Sequence, residues 1–181
     1  EYGYRGPLYC TRPTRDLAAL LQLDYIKICQ RENKKPPYSS KGIEEMIKHS
    51  IALEYSEVSD ITPDMRLTLN NAGHILGSAT VHVHIGDGLY NVLYTGDIKY
   101  ENTKLLERTY TDYARLEALI IEATYGGDNS PTQTFAEGER DLVAALKTVI
   151  ARGGKTLIPA FAVGRAQDII AILTQTDIEV P

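Results

Sequence analysis

Cysteine is scarce in this chain: Cys10 and Cys29 are the 2 thiols among 181 residues. Two cysteines are too few for a disulfide framework and are not spaced as a zinc cage, so both are read as reduced, buried thiols. No stretch approaches the ~18 consecutive apolar residues of a membrane span. Positive charge is short as well. Up to Tyr125 there are 14 basic and 17 acidic residues and beyond it 5 and 7, for a net charge of −5. Neither part has the basic excess of a nucleic-acid binder, although a local basic groove within an acidic whole stays open. The start, Glu1-Tyr2-Gly3-Tyr4-Arg5-Gly6-Pro7, lacks an initiator Met and a signal peptide. It reads as the middle of a longer, cytoplasmic protein. Internal repeats, low-complexity tracts, a Gly-Lys-Ser/Thr phosphate loop and Gly-x-Gly-x-x-Gly are all absent.

What is present is an ordinary globular composition, 43% hydrophobic and 24% charged, enough to bury a core. Residues 7–10 read as a short buried strand. Thr11 or Thr14 can cap a following helix, with Pro13 tolerated in its first turn, and Leu17, Leu20, Leu21, Ile26 and Ile28 outline its apolar face. Polar residues 30–40, with Pro36-Pro37, form a loop before a second helix over 41–49. The rhythm then changes to strands. Residues 66–70 and 79–85 alternate with period two, Gly86-Asp87-Gly88 turns, and 89–95 return as a hairpin. Residues 116–122, Leu-Glu-Ala-Leu-Ile-Ile-Glu, suit a buried inner strand. Thr134-Phe135-Ala136-Glu137 is a capping box opening a helix to about Ala151, which Gly153-Gly154 ends. A buried strand over 155–161 and a helix over 166–175 complete a βα unit expected in a parallel sheet.

Two bends carry the chemistry. His74 lies between Gly73 and Gly77 after a strand, where the backbone can turn sharply and aim one side chain into a cleft. Asp97 follows Gly96 at the end of the hairpin's returning strand. Either alone is commonplace, but imidazole plus carboxylate is a donor set suited to Zn²⁺ or a Zn/Mn pair. Glu122, at a strand end before Ala123-Thr124-Tyr125-Gly126, suits an outer role, accepting a proton from a metal-bound histidine. His82 and His84 fall on one face of a strand, and are read as structural or hydrogen-bonding residues because no Asp-His follows them. His49 reads as a surface residue. Pro159-Ala160-Phe161-Ala162-Val163-Gly164-Arg165-Ala166-Gln167 joins a strand to a helix start. Free N–H groups and Arg165 there could attract a phosphate or carboxylate, or the segment could be a plain helix cap with Arg165 in an ion pair.

Taken in order, these segments resemble the β-CASP branch of the metallo-β-lactamase-fold nucleases, in particular archaeal relatives of the cleavage and polyadenylation specificity factor nuclease subunit. Ala72-Gly73-His74-Ile75-Leu76-Gly77-Ser78-Ala79 is similar to that family's third metal motif, and Tyr94-Thr95-Gly96-Asp97 to its fourth. Glu122-Ala123-Thr124-Tyr125-Gly126 is similar to the first β-CASP motif, with Ala123 where a small hydroxyl residue is usual. The Pro159–Gln167 segment, Thr-Arg-Pro-Thr-Arg-Asp-Leu and Pro-Pro-Tyr-Ser-Ser extend the likeness over nearly the whole chain.

The resemblance implies an α/β fold: a partial metallo-β-lactamase αββα sandwich over residues 1–125, then the start of a β-CASP α/β domain over 126–181. It also implies zinc-dependent hydrolysis of RNA phosphodiester bonds in 3′-end processing, termination or decay. His74 would bind one zinc, Asp97 would bridge two, and Glu122 would orient a catalytic histidine. Single-stranded RNA would be the substrate, and the parent protein could be a homodimer. The family's His-x-His-x-Asp-His motif would precede Glu1 and two later histidines would follow Pro181. The 181 residues alone are therefore expected to hold little zinc and to be nearly inactive. Two other readings share some of these motifs: a non-catalytic RNA-binding scaffold, and a metallo-β-lactamase-fold hydrolase of small molecules. Intact His74, Asp97 and Glu122 disfavour the first, and the Glu122–Gly126 and Pro159–Gln167 segments disfavour the second.

Overall fold

The computed structural model describes residues 3–127 and 133–177. It is a mixed α/β structure with two sheets and four helices. Strand β1 (Leu8–Cys10) pairs in parallel with β2 (Ser50–Ala52). Between them run two helices, α1 (Arg12–Arg31) and α2 (Ser40–His49). A parallel pair needs such a crossover because its strands start at the same end. Of the two candidate caps it is Thr11 that caps α1, accepting from the Thr14 N–H, with Pro13 in the first turn where its missing N–H costs nothing. Ser39 caps α2 in the same way. The apolar face expected of α1 is only partly covered. Among its residues Cys29 is buried, while Leu20, Leu21 and Ile28 are exposed, because α1 packs chiefly on α2.

The second sheet has five strands in sequence order: β3 (Val58–Thr62), β4 (Met65–Asn71), β5 (Ala79–Ile85), β6 (Tyr90–Tyr94) and β7 (Ala118–Ile120). The first four are antiparallel, and β7 joins β6 in parallel. The expected hairpin is present, with Gly86, Asp87 and Gly88 all at positive φ in its turn. Register sorts the central strands into two unlike faces. One carries Leu67 and Leu69 opposite Val83 and Val81. The other carries Thr68 opposite His82 and Asn70 opposite Thr80. Both faces of β4 are buried from Leu67 to Asn70, so the second is a covered polar layer whose groups need partners. Apart from His82 Nε2 they have them: Thr68 Oγ1 lies 2.9 Å from His84 Nε2, His84 Nδ1 lies 2.9 Å from Asn91 Oδ1, and Thr80 Oγ1 lies 2.6 Å from the Tyr113 hydroxyl. Because Asn91 Nδ2 donates to Gly88 O and Glu117 Oε2, its Oδ1 is an acceptor, which puts the His84 proton on Nδ1. The hydrogen-bonding reading of His84 holds. His82 stacks against His84 and meets Tyr113 edge-on.

Two expected strands differ. Residues 116–122 contribute only the three-residue edge strand β7, and Leu119, Ile120 and Ile121 are half exposed. Their apolar run suits an interior place, but β7 is the last strand in the order, so only β6 covers it. Residues 155–161 form no strand. Among the described residues they pair with nothing, and Leu157 is 93% and Phe161 82% exposed. Strand propensity without an edge to bond yields extended backbone, not a ladder. The flanking helices are as expected. α3 (Phe135–Ala151) opens on a complete Thr134–Glu137 capping box and ends where Gly153 takes a positive φ. α4 (Arg165–Thr174) follows Gly164. No described helix is long and apolar enough to cross a membrane.

Candidate functional site

The seven-residue loop between β4 and β5 presents His74. Its ends are closed by the ladder and by Ala72 N–H to Ser78 O at 3.1 Å. Within it Ser78 Oγ accepts from the N–H groups of both His74 and Ile75, and Asn71 Oδ1 accepts from Gly73 N–H. Two glycines are obligatory. Gly73, at φ 70°, has Thr109 N and Lys99 O at 2.7 and 2.8 Å from where a Cβ would sit. Gly77, at φ 82°, has Pro13, Thr11 and Thr14 atoms at 2.8 Å from that point. Any side chain would collide as well as strain the backbone.

The Asp97 bend follows β6. Thr95 N–H donates to Ile120 O at 3.0 Å, which extends the β6–β7 pairing, and Gly96 turns at φ 56°. Beyond the bend, Lys99 N–H donates to Ala72 O at 3.0 Å, tying this segment to the His74 loop. The two bends meet: His74 Nε2 lies 3.7 Å from Asp97 Oδ2. Two donors on one tetrahedral zinc, each at about 2.0–2.1 Å, lie about 3.4 Å apart, so the pair fits neighbouring positions on a common ion. Both side chains are open to solvent at 41% and 67%, leaving access for an ion and a substrate. Among the described residues no group of three or more His, Cys, Asp or Glu side chains could hold a metal. On a tetrahedral ion these two donors would fill two of the four positions.

Glu122 does more than its sequence position suggested. Its Oε1 accepts from Ile98 N–H at 2.7 Å and its Oε2 from the Thr124 hydroxyl at 2.5 Å. Ile98 is the residue after Asp97, so Glu122 pins the bend that projects the aspartate. These bonds stabilise the charged form. The Thr124 hydroxyl first, the Ile98 N–H next, and more weakly His74 hold the carboxyl below its ordinary 4.5. Through Ile98, Glu122 stands beside the Asp97 bend, which itself meets His74, so the three sequence-selected residues share one neighbourhood.

The segment before α4 also reaches this neighbourhood. A Cβ on Gly164 would stand 2.9 Å from Ile75 Cγ2 and 3.9 Å from His74 O. Lys99 has its ammonium pushed below the ordinary 10.5, by burial first and by the Arg165 charge second, with Glu101 and Asp168 opposing. The donors expected to be free at this helix start are largely taken. Gly164 N–H donates to Gln167 Oε1 at 2.7 Å, Gln167 Nε2 donates to Ala162 O at 2.9 Å, and Ala166 N–H reaches Phe161 O at 3.3 Å. The turn is a helix cap closed by Gln167. Sequence reasoning passed over Lys99, and also Thr11, Thr14 and Thr124, whose hydroxyls meet site loops 66, 63 and 2 residues away. For Thr11 and Thr14 the signals were their fitness as helix caps and their place in the Thr-Arg-Pro-Thr-Arg-Asp-Leu segment.

The molecule is thus a mixed α/β chain whose five-stranded sheet delivers an imidazole and a carboxylate to one point through loops at strand ends. No family model matches it. Along nearly its whole length it is similar to archaeal proteins named transcription termination factor FttA. It is 52% identical over 175 residues to that of Methanothermobacter thermautotrophicus, covering 97% of this chain and 28% of the relative. With the Lokiarchaeum protein it shares 49% over 175 residues, again 97% and 28%. With that of Pyrococcus horikoshii it shares 52% over 172 residues, 95% and 26%. The chain spans little more than a quarter of the length of these relatives.

Proposed function

We propose that this chain is the central part of a larger cytoplasmic, zinc-dependent ribonuclease of the β-CASP metallo-β-lactamase type. In this reading it hydrolyses single-stranded RNA during transcription termination or RNA 3′-end processing. The observation that carries the reading is the 3.7 Å meeting of His74 Nε2 and Asp97 Oδ2 on two bends tied together by the Lys99 N–H to Ala72 O hydrogen bond. The termination-factor names of the similar archaeal proteins supply the biological setting. His74 and Asp97 would hold zinc, with further donors from elsewhere in the parent protein. When bound, zinc supplies Lewis acidity toward the phosphodiester and acidifies water. The residues of this chain then divide the remaining work. His74 and Asp97 offer a nitrogen and an oxygen at adjoining coordination positions. Glu122 keeps the Asp97 bend rigid through Ile98. Lys99, whose ammonium is disfavoured by burial and by Arg165, would gain from a phosphate nearby.

The test is made on the full-length protein with a labelled single-stranded RNA and, as a comparison substrate, a β-lactam. Wild-type protein should cleave the RNA, lose activity with a chelator and leave the lactam intact. H74A and D97N should each lower cleavage more than about 100-fold, beyond the usual effect of losing an outer-shell partner. RNA binding without metal-dependent cleavage would identify a scaffold instead, and lactam turnover a small-molecule hydrolase.

A further inference from the structure

The His74 loop is held near its C-terminal end from 63 and 66 residues away. Thr14 Oγ1 lies 2.8 Å and Thr11 Oγ1 2.7 Å from the same atom, the carbonyl oxygen of Gly77. Thr11 Oγ1 also accepts the Thr14 N–H at 3.3 Å as the cap of α1. Each hydroxyl has one proton to give and a carbonyl has two lone pairs. Thr11 Oγ1 also lies 2.9 Å from Thr14 Oγ1, so the Thr11 proton can go to that hydroxyl or to Gly77 O, while the Thr14 proton goes to Gly77 O. The arrangement blocks movement both ways. Hydrogen bonding to Gly77 O holds the loop to the helix, and the 2.8 Å spacing from the Gly77 Cβ position to Pro13, Thr11 and Thr14 atoms stops it moving closer. From Gly77 the constraint passes to the next residue, because Ser78 Oγ accepts from the backbone N–H of His74 at 3.2 Å and of Ile75 at 3.1 Å. Ile75 in turn lies against Gly164 on the far side of the loop.

We propose that Thr14, together with Thr11, is a positioning residue for the metal site: their hydroxyls grip Gly77 O and so fix the loop that aims His74 at Asp97. This rests on the reading of His74 as a zinc ligand. Thr14 is the cleaner probe, since Thr11 also caps the helix and its loss would weaken α1 for an unrelated reason. Thr14→Val keeps shape and branching while removing the donor. Thr14→Ser keeps the donor while removing the methyl group.

Zinc affinity of the full-length protein is measured by competition with a chromophoric chelator for wild type, T14V, T14S and H74A, alongside thermal melting and the visible spectrum of the Co²⁺-substituted forms. T14V should bind zinc about 10–100-fold more weakly, the range for a partner that orients a ligand, with an altered Co²⁺ spectrum, and T14S should restore both. Should T14V fail to fold, T14A takes its place. Wild-type affinity and spectrum in T14V, with H74A weakened, would overturn the clamp and leave the metal reading standing. Equal loss in T14V and T14S would also overturn it, because the methyl group and not the hydroxyl would be responsible. Zinc binding unaffected by H74A would overturn the metal reading itself, and the clamp's role with it.

Discussion

At the scale of single residues, the polar layer on β4 and β5 contains one imperfect member. His84 uses both ring nitrogens, but His82 Nε2 is buried without a hydrogen-bond partner among the described residues. Burial first and the neighbouring His84 second push the His82 imidazolium below the ordinary 6.5. The unfolded chain therefore binds that proton more readily than the folded one. The stability associated with neutral His82 is complete above about pH 6.5 and declines as pH falls through the lower folded value. His82→Phe keeps an aromatic edge for Tyr113 and removes the titration. Urea midpoints at pH 5 and 7.5 should differ less for H82F than for wild type, and an unchanged difference would count against this account. Sequence alone placed His82 and His84 on one face correctly. It could not separate the satisfied ring from the unsatisfied one, because that depends on Asn91, Thr68 and Tyr113 arriving from other segments.

At the scale of elements, loops decide more than strands do. The β4–β5 ladder follows from alternation, and the caps of α1, α2 and α3 follow from Thr11, Ser39 and Thr134 at their starts. The loop between β4 and β5 is different. Its shape depends on Gly77 at φ 82° fitting against α1. Gly77→Ala should cost at least about 1–3 kcal/mol from backbone strain, with steric conflict added, and should lower the melting temperature of the chain. A melt matching wild type would show that α1 can retreat from the loop. Residues 155–161 mark where local reasoning fails. Their composition favours a strand, but a strand is a relation between two segments, and none of the described residues supplies the other.

At the scale of the whole molecule, α3 meets the site-bearing part through contacts around residues 99–104. Lys104 Nζ meets Glu139 Oε1 at 2.7 Å with both side chains mostly covered, Phe135 N–H donates to Glu101 Oε2 at 2.9 Å, and Lys99 lies over the Phe135 ring. A covered pair in good geometry should exceed the weak coupling of exposed ones. A double-mutant cycle of Lys104→Ala and Glu139→Ala should give a coupling of about 1 kcal/mol or more in urea unfolding. Additive single effects would show that α3 is held by its apolar contacts, Leu146 among them.

The sequence by itself determined the α/β character, the hairpin, the capping box of α3 and the choice of His74, Asp97 and Glu122 as candidates. Those depend on periodicity, on capping chemistry and on glycines at bends, all written within a few residues. Only the tertiary structure decided that His74 and Asp97 face each other, that Glu122 works through Ile98, that β7 is an edge, and that two threonines at the start of α1 hold the loop of His74. Each of these is a meeting of segments far apart along the chain. Their distances are set by strand register and helix docking, which no local pattern encodes.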